Sequence, residues 1–308
     1  MSAAALIGLD WGTSSLRAYL LDAAGAVIDS RDSDQGIMRV ANAAFAATFA
    51  AVCGDWLQAH PRAPMLFAGM IGSKQGWLEA PYCTCPADVR AIAHAIVPLP
   101  LAGGRSAHIV PGLSCANAAG VPDVMRGEET QIIGALPSSG RHLAVLPGTH
   151  SKWAWVEEGV VRGFASFMTG EVYAALSGHT ILGRLMQLES PHDASAFARG
   201  VRYGLEAPQA LLSRVFSART LGLFGQMDAG ALPSYLSGLL IGSEIGGALE
   251  MAPPADKVVI LGNAALTLRY AEALALADVA TAIGPADCAA RGLWRIAGAA
   301  GLLEGAAC

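Results

Sequence analysis

Apolar and polar positions alternate from the start of the chain. An apolar run ends in Asp10-Trp11-Gly12-Thr13-Ser14-Ser15. An alternating stretch from Leu16 to Leu21 follows, then the turn Asp22-Ala23-Ala24-Gly25 and a third apolar stretch up to Ile28. Period-two runs separated by tight turns predict a β-meander. Between residues 41 and 60 the period changes, with Phe45, Phe49, Val52, Trp56 and Leu57 at helical spacing in an Ala-rich background. An amphipathic helix packed on that sheet is expected. Pro64 to Ala68 reads as a short buried strand that runs into Gly69-Met70-Ile71-Gly72-Ser73-Lys74-Gln75-Gly76-Trp77. That Gly-punctuated polar loop lies where an α/β sheet opens its binding crevice. Residues 98–122 carry Pro, Gly and one strand, His108 to Pro111, which predicts the approach to a domain boundary.

Arg126-Gly127-Glu128-Glu129-Thr130-Gln131 precedes the apolar stretch Ile132 to Leu136. Two carboxylates therefore sit in the first turn of a short helix, facing its positive end. The opening pattern then recurs: His142 to Leu146, the turn Pro147-Gly148-Thr149-His150-Ser151-Lys152, Trp153 to Val156, Glu157-Glu158-Gly159, and Val160 to Phe167. Residues 170–250 have helical period, strongest from Leu232 to Leu249. A buried strand from Val258 ends at Gly262-Asn263, helical stretches follow at 264–276 and 289–303. An α/β protein of two related domains is expected, 1–120 and 121–308, with the last helix able to pack back on the first domain. The 308-residue length agrees, at about 150 residues per domain.

Composition narrows the function classes. With 53% apolar and 15% charged residues the chain is far from a disordered composition. The net charge of −5 comes from 25 acidic and 20 scattered basic residues, so no basic stripe offers itself to nucleic acid. Pro or charge interrupts every apolar run well before the roughly 18 residues of a membrane span, and the opening Met1-Ser2-Ala3-Ala4-Ala5 lacks the basic start of a signal peptide. A soluble cytoplasmic protein is expected, with no membrane partner; the apolar excess is compatible with a homodimer. The cysteines, Cys53, Cys83, Cys85, Cys115, Cys288 and Cys308, form no Cys-x-x-Cys pair and read as reduced thiols. Cys83 and Cys85 with His94 miss the usual zinc spacing.

A strand that ends in Asp10 and turns through Gly12, Thr13 and Ser14 can cradle a terminal phosphate with backbone N–H groups and hydroxyls. Asp10, at the strand end, suits a hydrated Mg²⁺ held on that phosphate. The second hairpin offers Gly148 and Thr149 in the same way, with Lys152 as a point charge and His150 as a turn histidine. Two facing hairpins of this kind would make a nucleotide cleft. A primary alcohol that receives a phosphoryl group needs a carboxylate to take its proton, and Glu128 and Glu129 are the pair that lies just before the second hairpin.

These segments resemble the sugar-kinase, heat-shock-chaperone and actin superfamily. Ile7-Gly8-Leu9-Asp10-Trp11-Gly12-Thr13-Ser14-Ser15-Leu16-Arg17 is similar to its first phosphate motif, Leu146-Pro147-Gly148-Thr149-His150-Ser151-Lys152 to its second, and Leu261-Gly262-Asn263 to a reduced form of its adenosine turn. Within it, Ala68-Gly69-Met70-Ile71-Gly72-Ser73, Gly76-Trp77, Met125 to Gln131, Pro147 to Trp153, Thr169-Gly170-Glu171 and Leu236 to Glu244 resemble, in order, the 2-dehydro-3-deoxygalactonokinase family. The resemblance implies a two-domain actin-like ATPase (ribonuclease H-like) fold with an ATP cleft between the domains. It also implies ATP- and Mg²⁺-dependent phosphorylation of the 6-hydroxyl of 2-dehydro-3-deoxy-D-galactonate. The gluconate epimer or another sugar acid is the alternative substrate, and an ATP-gated binding protein of the actin or chaperone type the alternative class. Glu128 stands where related carbohydrate kinases carry the Asp of a Gly-Asp-Gln motif and is the expected base, with Glu129 next. Arg17 is expected near the transferring phosphoryl group. Gly72, Ser73 and Gln75 are candidate hydroxyl-binding positions and Trp77 a candidate wall. The acid's own carboxylate calls for an arginine, and Arg17, Arg126 and Arg39 all remain open.

Overall fold

The opening meander forms strands β1 (Ala4–Trp11), β2 (Leu16–Asp22) and β3 (Val27–Ser33), each antiparallel to the one before. The computed structural model describes residues 4–252, 255 and 257–303, so Cys308 lies outside the described residues. Helix α1 (Phe45–Ala59) buries Phe45, Phe49, Cys53 and Trp56 on one stripe, as the helical spacing requires. β4 (Met65–Ala68) then runs parallel to β1. Next come β5 (Tyr82–Thr84), α2 (Val89–His94), β6 (Val97–Pro100) and β7 (Ser106–Ile109). The first sheet has the order β3-β2-β1-β4-β7-β6. β8 (Gly112–Ala116) and β9 (Pro122–Met125) join β5 in a small sheet that leads into α3 (Glu128–Ala135).

The second sheet repeats the first. β10 (Arg141–Leu146), β11 (Ser151–Glu157) and β12 (Val160–Phe167) come from the second meander. The helices α4 (Thr169–His179), α5 (Ala194–Glu206), α6 (Leu211–Arg214), α7 (Ser217–Leu223) and α8 (Leu232–Met251) follow. β13 (Val258–Ile260), α9 (Ala264–Ala275) and β14 (Thr281–Ile283) complete the layer, with strand order β12-β11-β10-β13-β14. In both sheets the third, second and first strands of the meander precede two further strands parallel to the first. This doubled topology is the two-domain actin-like arrangement. α8 is apolar on all sides and buried along most of its length. Gly238 and Gly242 let it touch the backbone of α5, where a Cβ would lie 2.1 Å from the Phe197 carbonyl or 2.3 Å from that of Val201. Among the described residues no helix is long and apolar enough to cross a membrane.

The division into units departs from the expected boundary at 120. One compact unit runs to Gly140 and takes back Val156–Gly163 and the chain from Gly284 onward; the other holds Arg141–Trp155 and Phe164–Ile283. The reason is helix α10 (Cys288–Ala299), which packs against α3 through glycines. A Cβ on Gly134 would lie 1.9 Å from the Cys288 carbonyl oxygen, and one on Gly292 would lie 1.8 Å from that of Thr130. On its other side Leu293 of α10 covers Gly8 of β1. α3 is therefore part of the first unit's core, and the carboxylates at its start belong to the same unit as Asp10.

Candidate active site

Asp10 is the residue on which the first unit's segments converge. Its register pairs it with Arg17 on β2 and with Ala68 on β4. The chain leaves β4 at Gly69, whose φ of +90° is open to glycine and strained for other residues. A Cβ at Gly69 would sit 2.8 Å from the Trp11 carbonyl oxygen and 3.3 Å from Asp10 Oδ1. Gly127, with φ +108°, enters α3 beside it; a Cβ there would lie 3.2 Å from the Gly69 Cα and 4.0 Å from Asp10 Oδ1. Two bare glycines thus let β1, the β4 loop and the start of α3 close on one carboxyl group. Burial raises that carboxyl, the Arg17 guanidinium pulls it back and the Glu128 carboxylate pushes it up again, which leaves it at about 6 against the ordinary 3.8.

The adjacent glutamates have separate environments. Glu128 is half-buried, and its Oε2 accepts the Arg126 backbone N–H at 2.9 Å. Glu129 is fully buried; its Oε2 accepts the Gly127 N–H at 2.7 Å and its Oε1 the Thr130 hydroxyl at 3.0 Å. Burial, then the neighbouring Glu128 charge, pushes Glu129 up to about 8. Glu129 is therefore protonated near neutral pH and acts as a brace for the Gly127 turn. An acid whose folded value is raised contributes stability at low pH that is lost as pH climbs to the folded value. The melting temperature of the natural chain is accordingly expected to fall relative to that of Glu129→Gln as pH rises from about 5 to about 9. Thermal melts across that range check it, and parallel profiles would rule out a protonated Glu129.

The structure separates the three arginines. Arg39 pairs with Asp34 at 2.9 Å and Arg17 with Asp32 at 3.3 Å, both at half-exposed positions. Arg126 is buried: its Nη2 donates to the Ala80 carbonyl at 2.7 Å, its Cζ lies 4.4 Å from the Tyr82 ring centroid, and its Nη1 passes the bare Cα of Gly72. Gly72, beside it, and the next residue Ser73 are buried, whereas Gln75 is exposed. Trp77 packs into the first unit's core, 6.5 Å from Trp11 and 6.3 Å from Phe67 between ring centroids. Gly12 closes the first hairpin by donating to the Ser15 carbonyl at 2.8 Å, leaving Thr13 and Ser14 exposed.

In the second unit the turn at Gly148 and Thr149 is held from α4. The Glu171 N–H donates to the Thr149 carbonyl at 3.0 Å, Gly170 lies against the Gly148 carbonyl, and His150 pairs with the Glu171 carboxylate. Lys152 does not stand free at the hairpin edge; it is buried and its Nζ donates to Ser166 Oγ at 2.5 Å. Gly262 has φ +124°, and the Asn263 side chain accepts the Ala265 N–H at 2.9 Å, capping α9. Beneath the turn lies a polar network that periodicity does not reveal. Tyr270 donates to Glu244 Oε2 at 2.7 Å and Trp153 to Glu244 Oε1 at 2.8 Å, while the Ser151 and Tyr270 hydroxyls lie 2.8 Å apart. Glu244 has one visible signal in the sequence, a carboxylate in the midst of a largely apolar helix. Tyr82 has none.

The model of the 2-keto-3-deoxy-galactonokinase family matches residues 10–296. The chain belongs to that family. It is 34% identical over 267 residues to a 2-dehydro-3-deoxygalactonokinase of Escherichia coli (strain K12), covering 87% of this chain and 88% of the relative. A Rhizobium meliloti (strain 1021) protein assigned the same activity is 37% identical over 270 residues, with 86% and 87% covered. A solved structure from Sinorhizobium meliloti, assigned to this kinase as well, superposes with a TM-score of 0.88 at 35% identity, covering 95% of this chain and 98% of that one. Family membership makes the chain a carbohydrate kinase, and the matched span takes in Asp10, Gly69, Arg126 and both glutamates.

Proposed function

We propose that this 2-keto-3-deoxy-galactonokinase family member transfers the terminal phosphoryl group of ATP to the 6-hydroxyl of 2-dehydro-3-deoxy-D-galactonate, giving the 6-phosphate and ADP in the cytoplasm. The observation that carries the reading is the meeting of Asp10 and Glu128 at the paired glycines Gly69 and Gly127. Glu128 is half-buried and sits at the start of α3, so its carboxylate takes the hydroxyl proton as the new P–O bond forms. Glu129 holds its proton and keeps the Gly127 turn in place. Thr13 and Ser14 at one hairpin, and Thr149 at the other, supply hydroxyls and backbone N–H groups for phosphate oxygens. Arg17 adds positive charge beside Asp10, and Gly262, with φ +124° and no side chain, and Asn263 form the turn that takes the adenosine. Lys152, whose Nζ donates to Ser166 Oγ at 2.5 Å, adds a positive charge next to the second hairpin.

The residues around Asp10 fit a magnesium ion. Its carboxyl is crowded by burial and by the Glu128 charge, in a cradle that a Cβ at Gly69 or Gly127 would fill. Mg²⁺ bound with the nucleotide would offset that repulsion and the phosphate charge. Asp10 would hold it, directly or through water.

ADP release measured with Mg²⁺-ATP and three acceptor conditions tests the reading: the galactonate-derived keto acid, its gluconate epimer, and no acceptor. Release that depends on an acceptor and is faster with the galactonate-derived acid is expected. Release without acceptor would move the protein to an ATP-hydrolysing or ATP-gated class, and silence in all three would overturn the kinase reading.

A further inference from the structure

We propose that Arg126 and Ser73 bind the carboxylate of the acceptor and thereby select sugar acids over neutral sugars; this rests on the kinase reading above. Arg126 is 9% exposed, yet only its Nη2 has an acceptor, the Ala80 carbonyl at 2.7 Å. Its Nε and Nη1 are buried with no hydrogen-bond partner, and so is the Ser73 hydroxyl. Among the described residues no carboxylate is paired with this guanidinium. An arginine withdrawn from water without a counter-charge is costly, and unmade N–H donors add to the cost. A buried cation with spare donors is a site whose anion comes from outside the chain.

The ligand's chemistry follows from the surroundings. Arginine donors match a planar carboxylate in charge and geometry, and the Ser73 hydroxyl can donate to the same anion or to the adjoining keto oxygen. The bare Cα of Gly72 gives the guanidinium its room: a Cβ there would stand 3.0 Å from Nη1 and 2.8 Å from Ile109 Cγ2. The opposite face is covered by the Tyr82 ring, 42% exposed and carried on the three-residue strand β5. A ring stacked on that face leaves the in-plane N–H donors for the acid. Arg126 is also tied to the proposed base, because its backbone N–H holds Glu128 Oε2 at 2.9 Å. One turn of chain thus presents a cation for one end of the acceptor and a carboxylate for the other. Arg17 and Arg39 lack this character, each being already paired with an aspartate.

The experiment compares the keto acid with the corresponding 3-deoxyketose, in which the carboxyl is a hydroxymethyl group, in the natural chain and in Arg126→Lys. The natural chain is expected to use the acid with a kcat/KM at least about 10²-fold above that of the neutral analogue, the scale for losing the partner of a buried charged group. Arg126→Lys should raise the KM for the acid by about 10²-fold while changing the KM for ATP and the kcat/KM for the neutral analogue by less than about threefold. Equal use of acid and neutral analogue by the natural chain overturns the proposal without any variant. Equal loss for both acceptors in Arg126→Lys also overturns it and makes Arg126 a structural peg. If the natural chain releases no ADP with the acid, the kinase reading fails separately. Calorimetric binding of the acid alone, present in the natural chain and lost in Arg126→Lys, then still supports the site, and its absence in the natural chain refutes it.

Discussion

Replacing Glu128 with Gln is expected to lower kcat by about 10²–10⁴-fold, the range for removing a positioned base. Gln matches Glu in size and keeps an oxygen for the Arg126 N–H that Glu128 accepts at 2.9 Å, so the Gly127 turn should persist. The ATP affinity, read by calorimetry, should therefore stay within about threefold of the natural chain, because the lost interaction is one made only as the hydroxyl proton leaves. Glu129 cannot stand in for it: that carboxyl is fully buried, pushed up to about 8, and used by Gly127 and Thr130. Turnover of Glu128→Gln within about threefold of normal would sink the assignment.

The second large effect is expected at Asp10. Asp10→Asn should reduce kcat by about 10²–10³-fold, the cost of removing one preorganised charge-stabilising group, and should raise the Mg²⁺ concentration needed for half-maximal rate. Its stability should move the other way. Burial holds the Asp10 carboxyl up at about 6, so near pH 7 the folded chain either keeps a proton at a cost or carries a poorly solvated charge. The neutral amide removes that cost. A variant that melts at or above the natural temperature while losing activity is the signature of a group strained for function. An unchanged rate and Mg²⁺ requirement would refute the role, and a collapse of the melting temperature would show that Asp10 is structural.

Much of the candidate site could be drawn from the sequence because phosphoryl-transfer chemistry calls for particular residue types at turns. Asp10 before Gly12 and the Gly148-Thr149 turn stand out as polar groups at the ends of apolar strands, and the Glu128-Glu129 pair as two carboxylates in the first turn of a helix. The period-two and helical stretches located both meanders, α1 and α8. The compact units divide at Gly140 rather than at the expected 120: linker composition marks where a chain is irregular, whereas this division follows the glycine contacts of Gly134 with Cys288 and Gly292 with Thr130. Those contacts join segments more than 150 residues apart, and no local pattern encodes them.

The sequence by itself determined the elements, their repetition and the residue types able to carry phosphoryl transfer, because these follow from short-range periodicity and turn chemistry. The tertiary structure alone decided which of two neighbouring glutamates is buried and protonated, which of three arginines is left with unmade hydrogen bonds, and that Lys152 turns inward to Ser166. Side-chain charge state and pairing depend on burial and on partners brought from distant segments, and those exist only once the chain has folded.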